Sequence, residues 1–202
     1  QEGHPVHGVS ARDFVVDLDR PWDILDANRR ASAHFFAKLE QTVIGPGASV
    51  DDGADIPADA KLYLEPGAHI GKGCYLGGSV ALGAHSQVVR GAILQGNTVI
   101  GSHTECKDYC LVSPDSVLGT RCIVGHGAEF EGVAFDTVYL WHYCEICGVL
   151  GNNVDIGAAT VCGTWRFDNG VRTQEVKGHK ERPDRFGSCT YIGDYCRTGV
   201  NA

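Results

Sequence analysis

The chain has 202 residues, of which 43% are hydrophobic and 21% are charged, the balance of a globular domain with a real core. Its formal net charge of −8 argues against a nucleic-acid partner, and no apolar run approaches the roughly 18–20 residues of a membrane span. The nine cysteines are an odd number in a chain too long to need disulfides, and the N-terminus lacks the blocks of a signal peptide. We therefore expect a cytoplasmic protein with reduced thiols and with neither a nucleic-acid nor a membrane partner.

Residues 1–42 predict an N-terminal tail followed by one helix. Asp19, Pro21 and Asp23 form the pattern of a helix start, with a capping residue, a proline in the first turn and an acid near the positive helix end. An apolar stripe at helical spacing then follows, made of Trp22, Leu25, Phe35, Phe36 and Leu39. We predict a helix at about 21–40 that caps the open end of the repeats after it.

From residue 44 the apolar period becomes six. After a short first series and a two-residue slip, twelve consecutive positions at strict spacing six are apolar, if cysteine is counted. They are Leu64, Ile70, Leu76, Leu82, Val88, Leu94, Ile100, Cys106, Val112, Leu118, Val124 and Phe130. Six is neither a helical period nor simple alternation, and it suits a triangular solenoid in which each hexad gives one short strand and one corner. A β-sandwich would instead give spacings of 8–12 residues. Residues 43–202 therefore predict an all-β solenoid, a parallel β-helix of hexapeptide repeats.

The six-residue series is interrupted twice, at 131–149 and at 163–191. We interpret both stretches as loop insertions, which in solenoids often lie on the binding face. The second stretch is basic, with Arg166, Arg172, Lys177, Lys180, Arg182 and Arg185. A basic loop on an acidic protein either contacts a phosphorylated ligand or is simply a solvated loop, and the sequence leaves both interpretations open.

Four stretches carry a resemblance to a known family. They are Arg20–Asn28, Gly96–Gly101, Leu150–Thr160 followed by Trp165–Asp168, and Tyr191–Asn201. Together they resemble the left-handed β-helix acyltransferases. The closer likeness is to the C-terminal domain of bifunctional sugar-1-phosphate nucleotidyltransferase/acetyltransferases, including the bifunctional UDP-N-acetylglucosamine pyrophosphorylase. The first stretch looks like the linker that those enzymes place after the nucleotidyltransferase domain.

The resemblance implies a left-handed β-helix, acetyl-CoA as cofactor, a small sugar substrate and a homotrimer with sites between subunits. Only about 19 residues precede the linker-like stretch, so we expect this chain to lack the nucleotidyltransferase domain. The resemblance also implies residue roles. The family's general base is a histidine in the loop before the acetyl-CoA coil, and it corresponds to His142 here, with one single-residue gap on each side. Gly157, Ala158 and Ala159 correspond to the corner that faces the thioester.

Each of these roles has a plainer interpretation. An imidazole near its ordinary pKa of about 6.5 suits proton abstraction from an amine, but His142 could instead be a loop histidine packed against Trp141 and Tyr143. Small residues at 157–159 allow a cofactor to approach the backbone closely, but they also suit ordinary corner packing.

The sugar-phosphate contacts of the family match this sequence poorly. Arg90 corresponds to the family's phosphate-binding arginine. Its lysine is Glu131 here, its tyrosine is Glu145, and its two asparagines are Asp155 and Thr164. Replacing a lysine by a glutamate removes a phosphate partner and adds repulsion. The resemblance therefore leaves the acceptor open, and glucosamine 1-phosphate is a doubtful substrate.

Two other clusters are candidate metal sites. Cys144 and Cys147 form one CxxC, and a structural zinc site needs two more ligands, which Cys162, Cys189 or Cys196 could supply without forming a second such pair. His85 and His103 should stack one coil apart, and the left-handed β-helix carbonic anhydrases bind zinc through histidines, but their His-x4-His pair is missing. We expect no metal. Two functions stay open: an acetyl-CoA-dependent acyltransferase acting on an amino sugar or sugar phosphate, and a non-catalytic binding or assembly module that partners a sugar nucleotidyltransferase.

Overall fold

The computed structural model describes residue 10 and residues 15–163 and 165–202. The predicted tail at 1–12 lies almost entirely outside the described residues. In chain order the elements are α1 (Pro21–Lys38), β1 (Val43–Ile44), β2 (Ser49–Val50), β3 (Leu62–Leu64), β4 (His69–Ile70), β5 (Tyr75–Leu76), β6 (Val80–Leu82), β7 (Gln87–Val88), β8 (Ile93–Leu94), β9 (Thr98–Ile100), β10 (Glu105–Cys106), β11 (Leu111–Val112), β12 (Val117–Leu118), β13 (Ile123–Val124), β14 (Glu129–Ala134), β15 (Tyr139–Leu140), β16 (Glu145–Leu150), β17 (Asp155–Ile156), β18 (Gln174–Val176), β19 (His179–Glu181) and β20 (Thr190–Ile192).

These strands wind into a parallel solenoid with three walls. The first wall runs through β1, β3, β6, β9 and β12, the second through β2, β4, β7, β10, β13, β15 and β17, and the third through β5, β8 and β11. Within a wall each strand pairs in parallel with the next coil, as when Ile70 pairs with Val88 and Val88 with Cys106. The predicted solenoid with one helix is confirmed for the described part of the chain. Its left-handed sense remains a prediction from the resemblance.

The hexad positions form the core. All twelve residues of the strict series, from Leu64 to Phe130, are at most 1% exposed. The inward positions of the first coil are different, because Ile44 is 49% and Val50 is 37% exposed. Among the described residues, no earlier coil lies over them. The period of six therefore predicted which side chains face inward, and only position along the stack decides how well each is covered.

The stretch 131–149, predicted as a loop insertion, is instead part of the solenoid, so that prediction is wrong. Strand β14 pairs with both β11 and β12, and β16 pairs with β14 residue for residue. Four residues form the corner between β11 and β12, but only Glu131 and Gly132 fill it in β14. The corner is thus shortened by two residues, which shifts the hexad phase without adding a loop. Gly132 adopts φ of 131°, a conformation open to glycine.

The helix begins at Pro21, and its cap is Arg20, one residue after the predicted Asp19. The backbone N–H of Arg20 donates to the Asp23 carboxylate at 2.8 Å, and the Asp23 N–H donates to the Arg20 carbonyl at 3.0 Å. This reciprocal pair satisfies backbone groups that the first turn leaves without helical partners. Pro21 opens the helix, where its missing N–H costs nothing.

Helix α1 does not cap an end of the solenoid, contrary to the prediction, but lies along its outer side. Trp22 contacts Tyr191 of β20 with ring centroids 6.4 Å apart, and Phe35 contacts Tyr63 of β3 at 5.8 Å. In between, the Asn28 side chain donates to the backbone carbonyl of Asp115 at 2.7 Å. An 18-residue helix is about 27 Å long, close to the six strand spacings of about 4.8 Å that separate β3 from β20. The apolar stripe therefore covers a wall.

Among the described residues, no helix combines the length and the apolarity that crossing a bilayer would require.

Candidate active site

One corner of the solenoid carries a column of polar side chains. It lies between the second and third walls, and we call it the polar corner, formed by Arg90, Asp108, His126, His142 and Ala158. Their carbonyls each accept a hydrogen bond from the following corner one coil on, at 2.8–3.2 Å. The five residues therefore occupy equivalent positions in successive coils, about 4.8 Å apart.

His142 is exposed at the tip of this corner, two residues after the end of β15. Its ring centroid lies 6.3 Å from that of His126 and 6.4 Å from that of Trp141, both in tilted arrangements. Its backbone carbonyl accepts the Ala159 N–H at 2.8 Å. The backbone of His142 is thus fixed by the next coil while the imidazole stays open to solvent, which a proton acceptor for a bound molecule requires.

A hydrogen bond joins Trp141, the residue before His142, to Asp155. The indole N–H of Trp141 donates to the Asp155 carboxylate at 2.7 Å. Because an indole is only a donor and a carboxylate only an acceptor, this contact fixes both side chains. The predicted substrate residue Asp155 therefore lies one coil from His142 and already has a partner inside the chain.

Two tyrosines, each one residue after a polar-corner residue, pack over glycines of the preceding coil. Tyr109 lies over Gly91, where an added Cβ would approach its ring to 2.7 Å, and Tyr143 lies over Gly127 at 2.8 Å. The Tyr143 hydroxyl is 2.8 Å from His126 Nε2. Sequence reasoning gave His126 no role. The alternation of ring and glycine one coil apart is the signal that would have found this cluster.

The small residues at 157–159 have two separate origins. A Cβ on Gly157 would come within 2.2 Å of the Gly199 carbonyl oxygen, so close stacking of coils alone demands this glycine. Ala158 is different, because the same position holds larger, polar side chains in the four preceding coils of the polar corner. Ala158 is half-buried and follows His142 in the column. Its side chain ends at Cβ, whereas the preceding coil has the imidazole of His142 at the same position.

Arg90 lies in the same column as His142 but three coils away, roughly 14 Å at the usual strand spacing. Its guanidinium pairs with Asp108 at 3.2 Å. Within one chain, therefore, the predicted phosphate-binding arginine is not beside the predicted base.

Glu131 lies at a different corner from His142, which we call the helix-covered corner. This corner is formed by Glu131, Gly132, Cys147 and Gly148 and lies between the third and first walls. Glu131 and Gly132 line a cleft of about 220 Å³ with residues of α1, among them Leu25. The structure thus separates Glu131 from His142.

The two remaining substrate candidates are placed differently. Glu145 opens strand β16, three residues after His142, and its exposed side chain neighbours that of Glu129 on β14. Two carboxylates therefore face solvent on the wall that leaves the polar corner. Thr164 lies outside the described residues.

The CxxC cysteines face opposite sides of the chain. Cys144 points into the core and donates to the Gly157 carbonyl at 3.2 Å, and burial raises the pKa of its thiol. Cys147 lies at the helix-covered corner, with its sulfur 2.9 Å from that of Cys189. Across the described ranges, no group of three or more His, Cys, Asp or Glu residues is arranged to hold a metal ion.

His85 and His103 stack at a third corner, between the first and second walls. Their ring centroids are 5.2 Å apart, as the spacing along the chain predicts. They lie on a different corner from His142 and take no part in the candidate site.

The basic stretch between β17 and β20 contains the hairpin β18–β19 and borders an open cleft of about 450 Å³. Arg172, Arg182 and Arg185 are among the lining residues. Arg166 is paired with Asp168, whose pKa falls well below its usual range because of that guanidinium. Arg172 lies over the Trp165 ring at 4.3 Å. Part of the basic charge is therefore satisfied within the stretch itself.

Comparisons with known proteins agree with this architecture. Residues 58–166 match the protein family described as the GMPPB C-terminal domain. The chain is 31% identical over 202 residues to the bifunctional protein GlmU of Methanococcus maripaludis strain S2, covering 98% of this chain and 42% of that protein. It is 27% identical over 199 residues to a bifunctional sugar-1-phosphate nucleotidylyltransferase/acetyltransferase of Sulfurisphaera tokodaii, covering 98% of this chain and 43% of that protein. The chain thus spans about two fifths of the length of these relatives.

Proposed function

Because the chain belongs to the GMPPB C-terminal domain family, we propose that it is a sugar acyltransferase whose site lies at the polar corner. In this proposal it transfers an acetyl group from acetyl-CoA to the amine of an amino sugar or sugar phosphate. The relatives whose names include acetyltransferase activity support the reaction class. The nine cysteines, all free thiols, support a reducing, cytoplasmic location.

The observation that carries the proposal is the order of side chains at the polar corner. An exposed imidazole at His142 is followed, one coil on, by the short side chain of Ala158. The open surface next to His142 would admit an extended thioester along the corner, with its carbonyl carbon near the imidazole.

The proposed chemistry needs one proton acceptor. As the sugar amine attacks the acetyl carbonyl carbon, a C–N bond forms, the C–S bond breaks and CoA leaves as the thiolate. His142 takes the proton that the amine loses and can return it to the departing sulfur. General-base catalysis of this kind contributes about 10²–10⁴ in rate.

The acidic side chains around His142 favour an acceptor sugar that approaches the imidazole with its amine. Glu145 is close along the chain and Asp155 is one coil away, and both are acidic. A phosphate brought to this surface would meet carboxylates and, within one chain, no free guanidinium at Arg90. We therefore propose an amino sugar whose phosphate, if it has one, is held by residues outside this corner.

A homotrimer would supply those residues. Within one chain His142 is separated from Arg90 by three coils and from Glu131 by lying at a different corner, so a site bounded by one chain is incomplete as a sugar-phosphate pocket. Packing of three chains, with each site between two of them as the resemblance implies, would bring a neighbouring surface against His142. Sedimentation analysis of the purified protein measures this directly, and a monomer would contradict it.

Calorimetric titration with acetyl-CoA tests the cofactor, with free CoA as comparison. Binding in the micromolar to millimolar range is expected, and no heat at millimolar acetyl-CoA would contradict the proposal. His142→Ala should then lower acetyl transfer by about 10²–10⁴ with binding retained. The matched control is His103→Ala, an exposed corner histidine at another corner, which should leave the rate unchanged. Equal rates in wild type and His142→Ala would remove the assigned role.

A second function is supported by a specific observation. Arg90 is engaged by Asp108, and Glu131 stands where the resembling enzymes have a lysine, beside α1. A chain that had lost acetyl transfer and served as a binding or assembly module for a sugar nucleotidyltransferase would have this substitution pattern. That alternative predicts no acetyl-CoA binding, together with a stable complex when the chain is mixed with such an enzyme.

A further inference from the structure

We propose that Cys147 and Cys189 form a reversible disulfide that serves as a peroxide-sensitive modification site. Their sulfur atoms are 2.9 Å apart although the residues are 42 positions apart in the chain. The bond length of a disulfide is about 2.05 Å, so oxidation would need less than about 1 Å of movement. The proposal concerns the helix-covered corner and is independent of acetyl transfer.

The parallel register explains why the two thiols meet. Gly148 of β16 pairs with Thr190 of β20, so Cys147 and Cys189 stand side by side just before that pair. Gly148 has φ of 149°, and a Cβ there would come within 1.8 Å of the Thr190 carbonyl. The two backbones therefore approach closely at the point where the thiols meet.

The surroundings restrict which oxidant can reach the pair. Cys189 is 6% exposed and packs with Leu25, Val133 and Val149, whereas Cys147 is half-buried. A bulky disulfide reagent would be excluded from such a site, but a hydroperoxide is small enough to enter it. By contrast, Cys196 is the one exposed thiol of the nine. Exposure alone would direct oxidation to Cys196.

Polarisation within the pair selects the attacking sulfur. Either sulfur can donate to the other, and where Cys147 donates, the contact lowers the pKa of Cys189 and raises the pKa of Cys147. The thiolate is the nucleophile in thiol oxidation. In that arrangement Cys189 is the sulfur that attacks, and Cys147 is the sulfur that resolves the product.

The reaction balances with hydrogen peroxide as oxidant. The Cys189 thiolate attacks one peroxide oxygen, the O–O bond breaks, hydroxide leaves and Cys189 becomes a sulfenic acid. The Cys147 sulfur then attacks the Cys189 sulfur, the S–O bond breaks and water leaves as the S–S bond forms. Two electrons pass from the thiols to peroxide, and a dithiol reductant reverses the change by exchange.

Oxidation would fix one end of the basic stretch. The segment between the two cysteines includes the coil with Gly157–Ala159 and the hairpin β18–β19. Closing it covalently restricts the unfolded chain and holds the start of β20 against β16. Oxidation should therefore raise the thermal midpoint by roughly 5–10 °C, as expected from closing a loop of this size in a 202-residue chain.

Mass spectrometry of the full chain after stoichiometric peroxide tests the proposal. The expected result is a loss of about 2 Da, restored by a dithiol, with one cross-linked peptide pair containing Cys147 and Cys189. Cys147→Ser and Cys189→Ser should each abolish that loss, and Cys196→Ser should retain it.

Three outcomes would overturn the proposal. One is oxidation at Cys196 while Cys147 and Cys189 still react with an alkylating agent. Another is a cross-link that joins other cysteines. The third is a stoichiometric zinc ion that blocks oxidation until a chelator removes it, because the pair would then be a metal site.

Discussion

The polar corner and the helix-covered corner belong to the same coils, yet their surroundings have little in common. His142 and Cys147 are five residues apart, and between them the chain crosses only one short wall. His142 is exposed beside the small Ala158, whereas Cys147 lies among α1, β14 and β20. The inward side chains at both corners obey the same apolar rule. What differs is whether anything outside the solenoid covers the corner, and that alone separates an open site from a packed one.

The largest expected effect on stability comes from adding one methyl group at the helix-covered corner. Gly132→Ala would bring a Cβ within 2.0 Å of the Gly148 carbonyl oxygen at a φ that disfavours side chains. We expect a loss of about 3–5 kcal/mol in unfolding free energy, measured by urea denaturation. Gly163→Ala, where the added Cβ meets nothing within 4 Å, is the matched control and should change little. Equal midpoints for the two variants would contradict the tight packing of the helix-covered corner.

Removing the main apolar contact of α1 should have the next largest effect. Leu25 is 5% exposed against Val133 and Val149. Leu25→Ala should cost about 2–3 kcal/mol, at the lower end for a buried leucine because the cleft beside it can relax. Leu18→Ala, at a position 61% exposed, should stay within about 0.5 kcal/mol. If Leu25→Ala left the thermal midpoint unchanged, α1 would contribute nothing to the wall it covers.

The polar corner should accept a large side chain at position 158 but should then bind acetyl-CoA more weakly. Ala158→Arg places at this position the side chain that Arg90 already carries in the same column, so the fold should accept it. Because the new side chain fills the surface beside His142, acetyl-CoA should bind at least about tenfold more weakly, or about 1.4 kcal/mol. Calorimetry measures both the variant and Ala84→Arg, the equivalent change at another corner. Unchanged affinity in Ala158→Arg would move the cofactor away from this corner.

The smallest expected effect on the thermal midpoint comes from an acid-sensitive ion pair at the start of α1. Arg20 Nε lies 2.6 Å from a Glu181 carboxylate oxygen, and the guanidinium lowers the pKa of Glu181. A lowered folded pKa gives stability that is present above the unfolded value of about 4.3 and is lost as the pH falls through the folded value. The difference in thermal midpoint between wild type and Glu181→Gln should therefore be present at pH 7 and shrink toward pH 3. Glu175→Gln on the same hairpin is the control, and a difference that grows on acidification would reverse the sign.

The sequence predicted the interior of the molecule better than its exterior. The period of six specifies which residues face inward, because each strand is too short for any other phase to bury them. The apolar stripe of α1 specified what the helix buries but not where, since an end and a wall of the solenoid are both apolar surfaces. The placement of α1 therefore had to come from long-range contacts such as Phe35 with Tyr63.

The shortening of the corner at Glu131 and Gly132 was not predicted, for a different reason. Losing two residues breaks the phase of a period search, so the stretch looked like an insertion. The segments Glu129–Ala134 and Glu145–Leu150 nevertheless share glutamate, glycine and valine at matching positions. That local repeat was the available signal. The contact of Cys147 with Cys189 had no such signal, because it depends on the path of the basic stretch between them.

The placement of α1 has a consequence for how the chain unfolds. In a stack of repeats, each coil touches only its neighbours, so order can be lost one coil at a time from either end. Helix α1 contacts β20 near one end through Trp22 and β3 near the other through Phe35. Fraying at either end therefore also removes contacts made by the helix across the intervening coils. A one-dimensional array becomes a single cooperative unit, in which distant coils melt together because one helix spans them.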